Sequence, residues 1–340
     1  MRLLRITADG LPLFSGKADL TFYARERVSE NDRFRLQKLF SNVWANPVSL
    51  LIGINASGKT SVLKLILLAL GILRHEHINC LETRDILGSC GQVRINTWFY
   101  GEASREICRL ETCIEPQEEI SGKVRYIIRE EKLWIKPASQ AGSGKKLPDF
   151  DGVPPADVRD SGQAFLADDV SIMIAWNRKT GECIQTASVI GTSDTDLSHF
   201  PSDVPQDSAA FLDPSIEYLR QEVEGCGRCI RLKFHGRNEI ILNNPSELGS
   251  FLSSGTIRGM ILFSMAHRIL STGGCMAVDD LERSLNAEVA KTLVRLFEDG
   301  RINRKGGMLI FSTNSAETVD EFDRRDCILV TRNNNGISAE

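Results

Sequence analysis

Val48-Ser49-Leu50-Leu51-Ile52-Gly53-Ile54-Asn55-Ala56-Ser57-Gly58-Lys59-Thr60-Ser61 is the stretch that decides the fold. Its first five residues form an apolar run of strand length. The eight from Gly53 to Thr60 match G-x-x-x-x-G-K-[ST] without a mismatch. From Val62 to Leu73 the chain is apolar on every side, with Lys64 the lone charge, which reads as a helix buried between two layers. Strand, glycine-bearing loop and buried helix are the context in which this pattern cradles phosphate. Gly53 and Gly58 permit a tight loop, and the backbone N–H groups of Asn55, Ala56, Ser57 and Ser61 are expected to turn toward phosphate oxygens. Lys59 supplies a mobile positive charge, the Thr60 hydroxyl is a ligand for Mg²⁺, and the helix N-terminus adds its positive dipole end.

A phosphate loop calls for a carboxylate on a neighbouring strand. Cys275-Met276-Ala277-Val278-Asp279-Asp280 provides two acids at the C-terminal end of an apolar run, the edge where open α/β sheets bind ligands. Asp279 is the expected Mg²⁺ residue, and Asp280 the one near an attacking water. Leu252-Ser253-Ser254-Gly255-Thr256, ahead of an apolar helix, places two hydroxyls and a glycine at a helix N-terminus. That is an anion site in chemistry, or merely a serine cap.

The remaining chain sets bounds. The 340 residues suggest about two domains, or one with a large insertion. A composition 42% hydrophobic and 25% charged is that of a globular core, and the net charge of −4 supplies no global basic field for nucleic acid or membrane. The longest apolar run, residues 65–73, is too short for a membrane span, the first residues do not read as a signal peptide, and nine scattered cysteines suit a reducing cytoplasm.

Residues 1–25 read as a strand pair, residues 25–37 as a charged loop or short helix, and 92–136 as β-rich. Residues 137–163, rich in Pro, Gly, Ser and Lys, read as an exposed loop, and 164–225 carry no clear pattern. Strands at 240–242, 275–278, 308–311 and 327–330 alternate with two helices, which argues for a parallel-rich layer.

The order of residues 53–60, 252–256, 275–280 and 310–314 resembles the ABC-type ATPase heads of the SMC, RecF and OLD proteins. It is most similar to prokaryotic AAA-type ATPases of antiphage, abortive-infection operons, whose signature reads LSSGT. Residues 278–286 and 311–315 look like that group's acidic stretch and its switch. The resemblance covers residues 1–75 and 240–332. It implies an α/β P-loop NTPase, an ABC-ATPase-like head with an N-terminal antiparallel β portion. The head is then built from residues 1–79 and 236–340 around a variable inserted region at 80–235. It further implies ATP and Mg²⁺ as ligands and a homodimer closed over ATP, with Ser253, Ser254 and Gly255 acting on the partner copy's nucleotide. A separate effector such as a nuclease or toxin would be the partner of such a switch. DNA is the ligand if the chain is instead a repair or chromosome-maintenance ATPase, and a transporter subunit is the third reading.

Two positions depart from the family. Its catalytic Glu is Asp280 here, one methylene shorter, and its switch His is Asn314, which cannot titrate. Glu282 is the nearby acid that could compensate, and slow hydrolysis is the expectation. Gln92 is the candidate for the family's glutamine metal ligand. Three other features read as structural: Cys226-Gly227-Arg228-Cys229 is half a zinc site, Gly142-Ser143-Gly144-Lys145-Lys146 lacks the strand a phosphate loop needs, and the basic residues from Arg25 to Lys38 are interleaved with Glu26, Glu30 and Asp32, as on a solvated face.

Overall fold

The protein is represented by a computed structural model that describes residues 1–89, 91–119, 122–159, 166–191, 200–201, 204–224 and 227–339. The chain opens with strands β1 (Arg2–Asp9), β2 (Ala18–Thr21), β3 (Gln37–Phe40), β4 (Val43–Ala45) and β5 (Val48–Ile52), then helix α1 (Lys59–Leu73). Three long strands follow, β6 (Val93–Gly101), β7 (Glu106–Glu118) and β8 (Val124–Pro137), with the short β9 (Asp157–Val158). Next come α2 (Met173–Thr180), β10 (Thr186–Val189), α3 (Gln206–Leu212), β11 (Ile216–Glu224), β12 (Gly227–Phe234) and β13 (Ile240–Leu242). The chain ends with α4 (Ser254–Thr272), β14 (Cys275–Val278), α5 (Ala287–Glu298), β15 (Met308–Thr313), β16 (Ile328–Asn333) and β17 (Ile337–Ala339).

Two six-stranded sheets enclose α1. One has the order β10-β14-β15-β5-β16-β17, parallel except for its last strand. The other is antiparallel, in the order β2-β1-β6-β7-β8-β9. The central strands β5, β14 and β15 are buried on both faces, which is why they are almost uninterruptedly apolar. Successive side chains point to opposite faces, so Leu51, Cys275, Ala277, Met308 and Ile310 join the core around α1, with Leu3, Ile6, Leu20 and Phe22 of the antiparallel sheet beyond it. Val48, Leu50, Met276, Val278, Leu309 and Phe311 face the opposite way, onto Phe263 of α4 and Leu293 and Phe297 of α5. The all-round apolarity of α1 therefore has a cause: it lies between two sheets.

The stretch from 80 to 235 shares both large sheets with the rest of the chain. β6 pairs with β1 and β10 lies parallel to β14. A three-stranded sheet of β11, β12 and β13 packs on the first turns of α4 through Leu232, Leu242, Ile257 and Met260.

The exposed loop expected at 137–163 needs correction. Ala138, Ala141, Leu147 and Phe150 are buried against Leu4, Trp98 and Tyr100 on the outer face of the antiparallel sheet. The Lys136 ammonium donates to the Lys146 carbonyl at 2.9 Å and also to that of Asp149, pinning the segment. Four well-spaced anchors suffice to bind a polar segment to a sheet. Residues 160–163 of that stretch, and Cys226 of the C-x-x-C, lie outside the described residues. No helix among the described residues is long and apolar enough to cross a membrane.

Candidate functional site

The C-terminal edge of the parallel sheet gathers the sequence-predicted residues. β5 ends at Ile52, and the loop that follows turns through left-handed backbone at Ala56 (φ 63°) and Gly58 (φ 98°) before α1 begins. The left-handed backbone at 58 favours glycine, and a Cβ added there would lie 2.6 Å from the Ile337 side chain, which would have to shift. At Gly53 a Cβ would collide with the Ser57 hydroxyl and with Thr331 of β16. Ser57 is buried and shares a 2.6 Å hydrogen bond with the Thr331 hydroxyl, so β16 braces the loop from behind. Asn333 donates to the Ala56 carbonyl at 3.2 Å. Asn55 and Ala56 are exposed at the loop tip, and Ser61 sits in the first turn of α1.

The charged and hydroxyl-bearing residues form a connected network. The Lys59 ammonium donates to the carbonyls of Gly53 at 2.9 Å and Ile54 at 3.2 Å, and to Asn314 Oδ1 at 2.6 Å. Asn314 Nδ2 in turn donates to Asp280 Oδ1 at 3.1 Å. The Thr60 hydroxyl donates to Asp279 Oδ2 at 2.6 Å, and the Ser312 hydroxyl donates to Asp279 Oδ1 at the same distance. Ser312 also accepts from the Asp280 N–H at 2.8 Å, which holds Asp280 in left-handed backbone at φ 48°. Burial, joined by the nearby Asp279 and Glu282 charges, pushes the Asp280 carboxyl above the ordinary aspartate range, with Lys59 and Arg283 opposing. Glu282 Oε1 accepts from the Thr313 hydroxyl at 2.7 Å and the Asn314 N–H at 2.8 Å, tying the turn after β15 to the turn after β14.

The network fits a divalent cation of the Mg²⁺ kind. One carboxylate and one hydroxyl, Asp279 and Thr60, stand within hydrogen-bond reach beside a phosphate-loop lysine. Mg²⁺ in phosphate sites takes few protein oxygens and completes its shell with phosphate and water. No cluster of three or more His, Cys, Asp or Glu side chains suited to a metal occurs among the described residues.

Ser253, Ser254 and Gly255 stand apart from this network. Ser253 caps α4, its hydroxyl accepting from the Thr256 N–H at 3.0 Å, and both serines are exposed. The segment is nonetheless fixed to the acid strand. Buried Arg258, one turn into α4, donates to the carbonyls of Asp279 and Asp280, both at 3.1 Å, and Gly255 lies so close to the Ser284 carbonyl that a Cβ would not fit. No hydrogen bond among the described residues joins 253–256 to 53–60. Gln92 is not brought to the site either: it precedes β6, where its amide donates to Glu115 at 3.0 Å.

Three contributors were not visible in the sequence. Ser312 reads as a neutral position in an apolar strand, Arg258 as a helix-surface charge, and Thr331 as part of a polar strand end. The one available signal for Ser312 is a small hydroxyl residue at the strand end, two positions before Asn314.

Solved structures similar over the whole of this chain include an SMC head and a RecF protein. The SMC head domain from Thermotoga maritima matches 100% of this chain and 98% of its own, with 12% sequence identity and a TM-score of 0.47. The recombination mediator protein RecF–ATP of the RecFOR pathway matches 100% and 97%, with 9% identity and a TM-score of 0.48. Neither a family model nor a curated protein sequence matches the chain. Identities and scores this low carry no function across.

Proposed function

We propose that the chain binds ATP with Mg²⁺ at residues 53–61 and that ATP gates the face-to-face pairing of two copies. The observation that carries this reading is the connected set Lys59, Thr60, Asp279, Asp280 and Asn314, drawn from the ends of the adjacent parallel strands β14 and β15 and the start of α1. The loop N–H groups and Lys59 bind and orient the phosphates, and Thr60 with Asp279 holds the metal ion, which when bound neutralises charge on the terminal phosphates. Asp280 orients the attacking water and takes its proton, Asn314 offers a neutral amide toward the transferred phosphate, and the products are ADP and phosphate. Glu282 holds Asn314 in place through its backbone N–H.

Ser253, Ser254 and Gly255 serve the partner copy's nucleotide. Their exposure, at the N-terminus of a 19-residue helix and unattached to their own phosphate loop, supports that assignment. Through Arg258 the same helix feels the position of Asp279 and Asp280, so one copy's closure is registered at its own acid strand. The resemblance of residues 252–256 and 278–286 to antiphage ATPases supports a role as a slow switch for a separate effector in prokaryotic defence. Light scattering of the full chain with and without a non-hydrolysable ATP analogue tests the pairing. Wild type should double in mass with nucleotide, and Ser253→Arg should bind the analogue but remain monomeric. The same mass under both conditions, with the variant indistinguishable, would remove the gate.

A further inference from the structure

A cavity of about 860 Å³ opens at the other end of the parallel sheet, lined by Tyr23, Trp44, Ser143 and Gly144 and by five cations: Arg25, Arg27, Arg33, Lys38 and Lys145. Glu26 is the one acid among its lining residues. The interleaved acids that suggested a solvated face are used elsewhere. Asp32 pairs with Arg324 and accepts from the Ser29 N–H, and Glu30 does not line the cavity. None of the five cations makes an ion pair among the described residues, and Lys38 is held only over the Trp44 ring, 5.8 Å from its centre. Two segments read as inert, the basic run after β2 and the glycine-rich stretch at 142–146, thus meet around one space.

The cavity is a separate place from the phosphate loop. Its floor is anchored by buried Asp326, which accepts from the N–H groups of Arg25 at 2.7 Å and Glu26 at 2.9 Å. Asp326 precedes Ile328, which pairs with Leu50 on β5, three residues short of Gly53. At a strand rise of about 3.3 Å per residue the two sites are on the order of 15 Å apart, at opposite ends of the sheet. Five like charges facing one concavity repel each other, and an anion of several charges relieves that repulsion. The volume lies in the range of small-molecule sites, and the Tyr23 and Trp44 side chains give it one aromatic wall.

We propose that this cavity binds a small ligand carrying two or more phosphate groups. Calorimetry with inorganic tripolyphosphate tests it on the full chain carrying Lys59→Ala, which keeps the phosphate loop from contributing. One site should bind, and affinity should fall as salt rises. Adding Arg27→Gln, Lys38→Gln and Lys145→Gln should weaken binding on the order of 10²-fold. All three side chains are exposed, so the melting temperature should not move and serves as the folding control. Absence of binding, or equal affinity with and without the three substitutions, would overturn the proposal. So would a twelve-residue thymidine oligonucleotide that binds through these three cations when tripolyphosphate does not, because the occupant would then be a nucleic acid.

Discussion

Replacing Asp280 by Glu, together with Asn314→His, should raise ATP turnover by on the order of 10²-fold. In the structure Asp280 reaches Asn314 at 3.1 Å, and Asn314 in turn reaches Lys59 at 2.6 Å. The shorter acid is thus already committed to a neutral amide. One more methylene advances the carboxylate by roughly 1.5 Å, and a misplacement of about 1 Å costs on the order of 10² in rate. The backbone adds a second, separable effect. Asp280 sits at φ 48°, a region that aspartate tolerates more readily than glutamate, so the variant should lose about 1 kcal/mol of stability while it gains turnover. The acid also marks the pH profile. Its carboxyl is raised by burial and by Asp279 and Glu282, and only the ionised form accepts a proton from water. The rate should therefore rise with pH along a limb displaced above the ordinary aspartate value, and Asp280→Asn should abolish that limb. Phosphate release at saturating ATP is the assay. Wild-type turnover above about 1 s⁻¹, the low end of common enzyme rates, would show that the site is complete as it stands and refute the reasoning.

Ser312→Ala should cut hydrolysis while leaving ATP affinity within a few-fold, because the hydroxyl positions Asp279 and the Asp280 N–H without meeting the phosphate loop; an equal loss of affinity in calorimetry would contradict that division. Gly58→Ala should lower the melting temperature and weaken ATP binding, since left-handed backbone costs a Cβ-bearing residue about 1–2 kcal/mol and Ile337 must also shift; an unchanged melt would show that the loop relaxes freely.

The parts legible in the sequence are those with burial on both faces. β5, β14 and β15 each bury every or nearly every residue, so their apolar runs stand out, and α1 carries the same mark for the same reason. β10 escaped because it is an edge strand of four residues with exposed Ser188 and half-buried Thr186, joined to the sheet only through β14. β17 escaped because three residues after a polar turn carry no periodicity, although Ile337 closes the phosphate loop from behind. At the site, residue types announced Lys59, Thr60 and Asp279, whose chemistry is particular to their side chains. Ser312, Arg258 and Thr331 act through position instead, and their backbone partners belong to distant segments. The left-handed conformations of Ala56 and Asp280 are likewise invisible, because neither residue type by itself calls for positive φ.

The central claim is that residues 53–61 hold ATP, and calorimetric titration of wild type against Lys59→Ala tests it most directly. Lys59 is buried and hydrogen-bonded by the loop itself, so its ammonium is already aimed across the space the loop encloses. Two charge-assisted hydrogen bonds to phosphate contribute about 3–6 kcal/mol together, which predicts an affinity lower by on the order of 10²- to 10⁴-fold in the variant. Equal ATP affinity in the two proteins, both folded by their melting curves, would contradict the account.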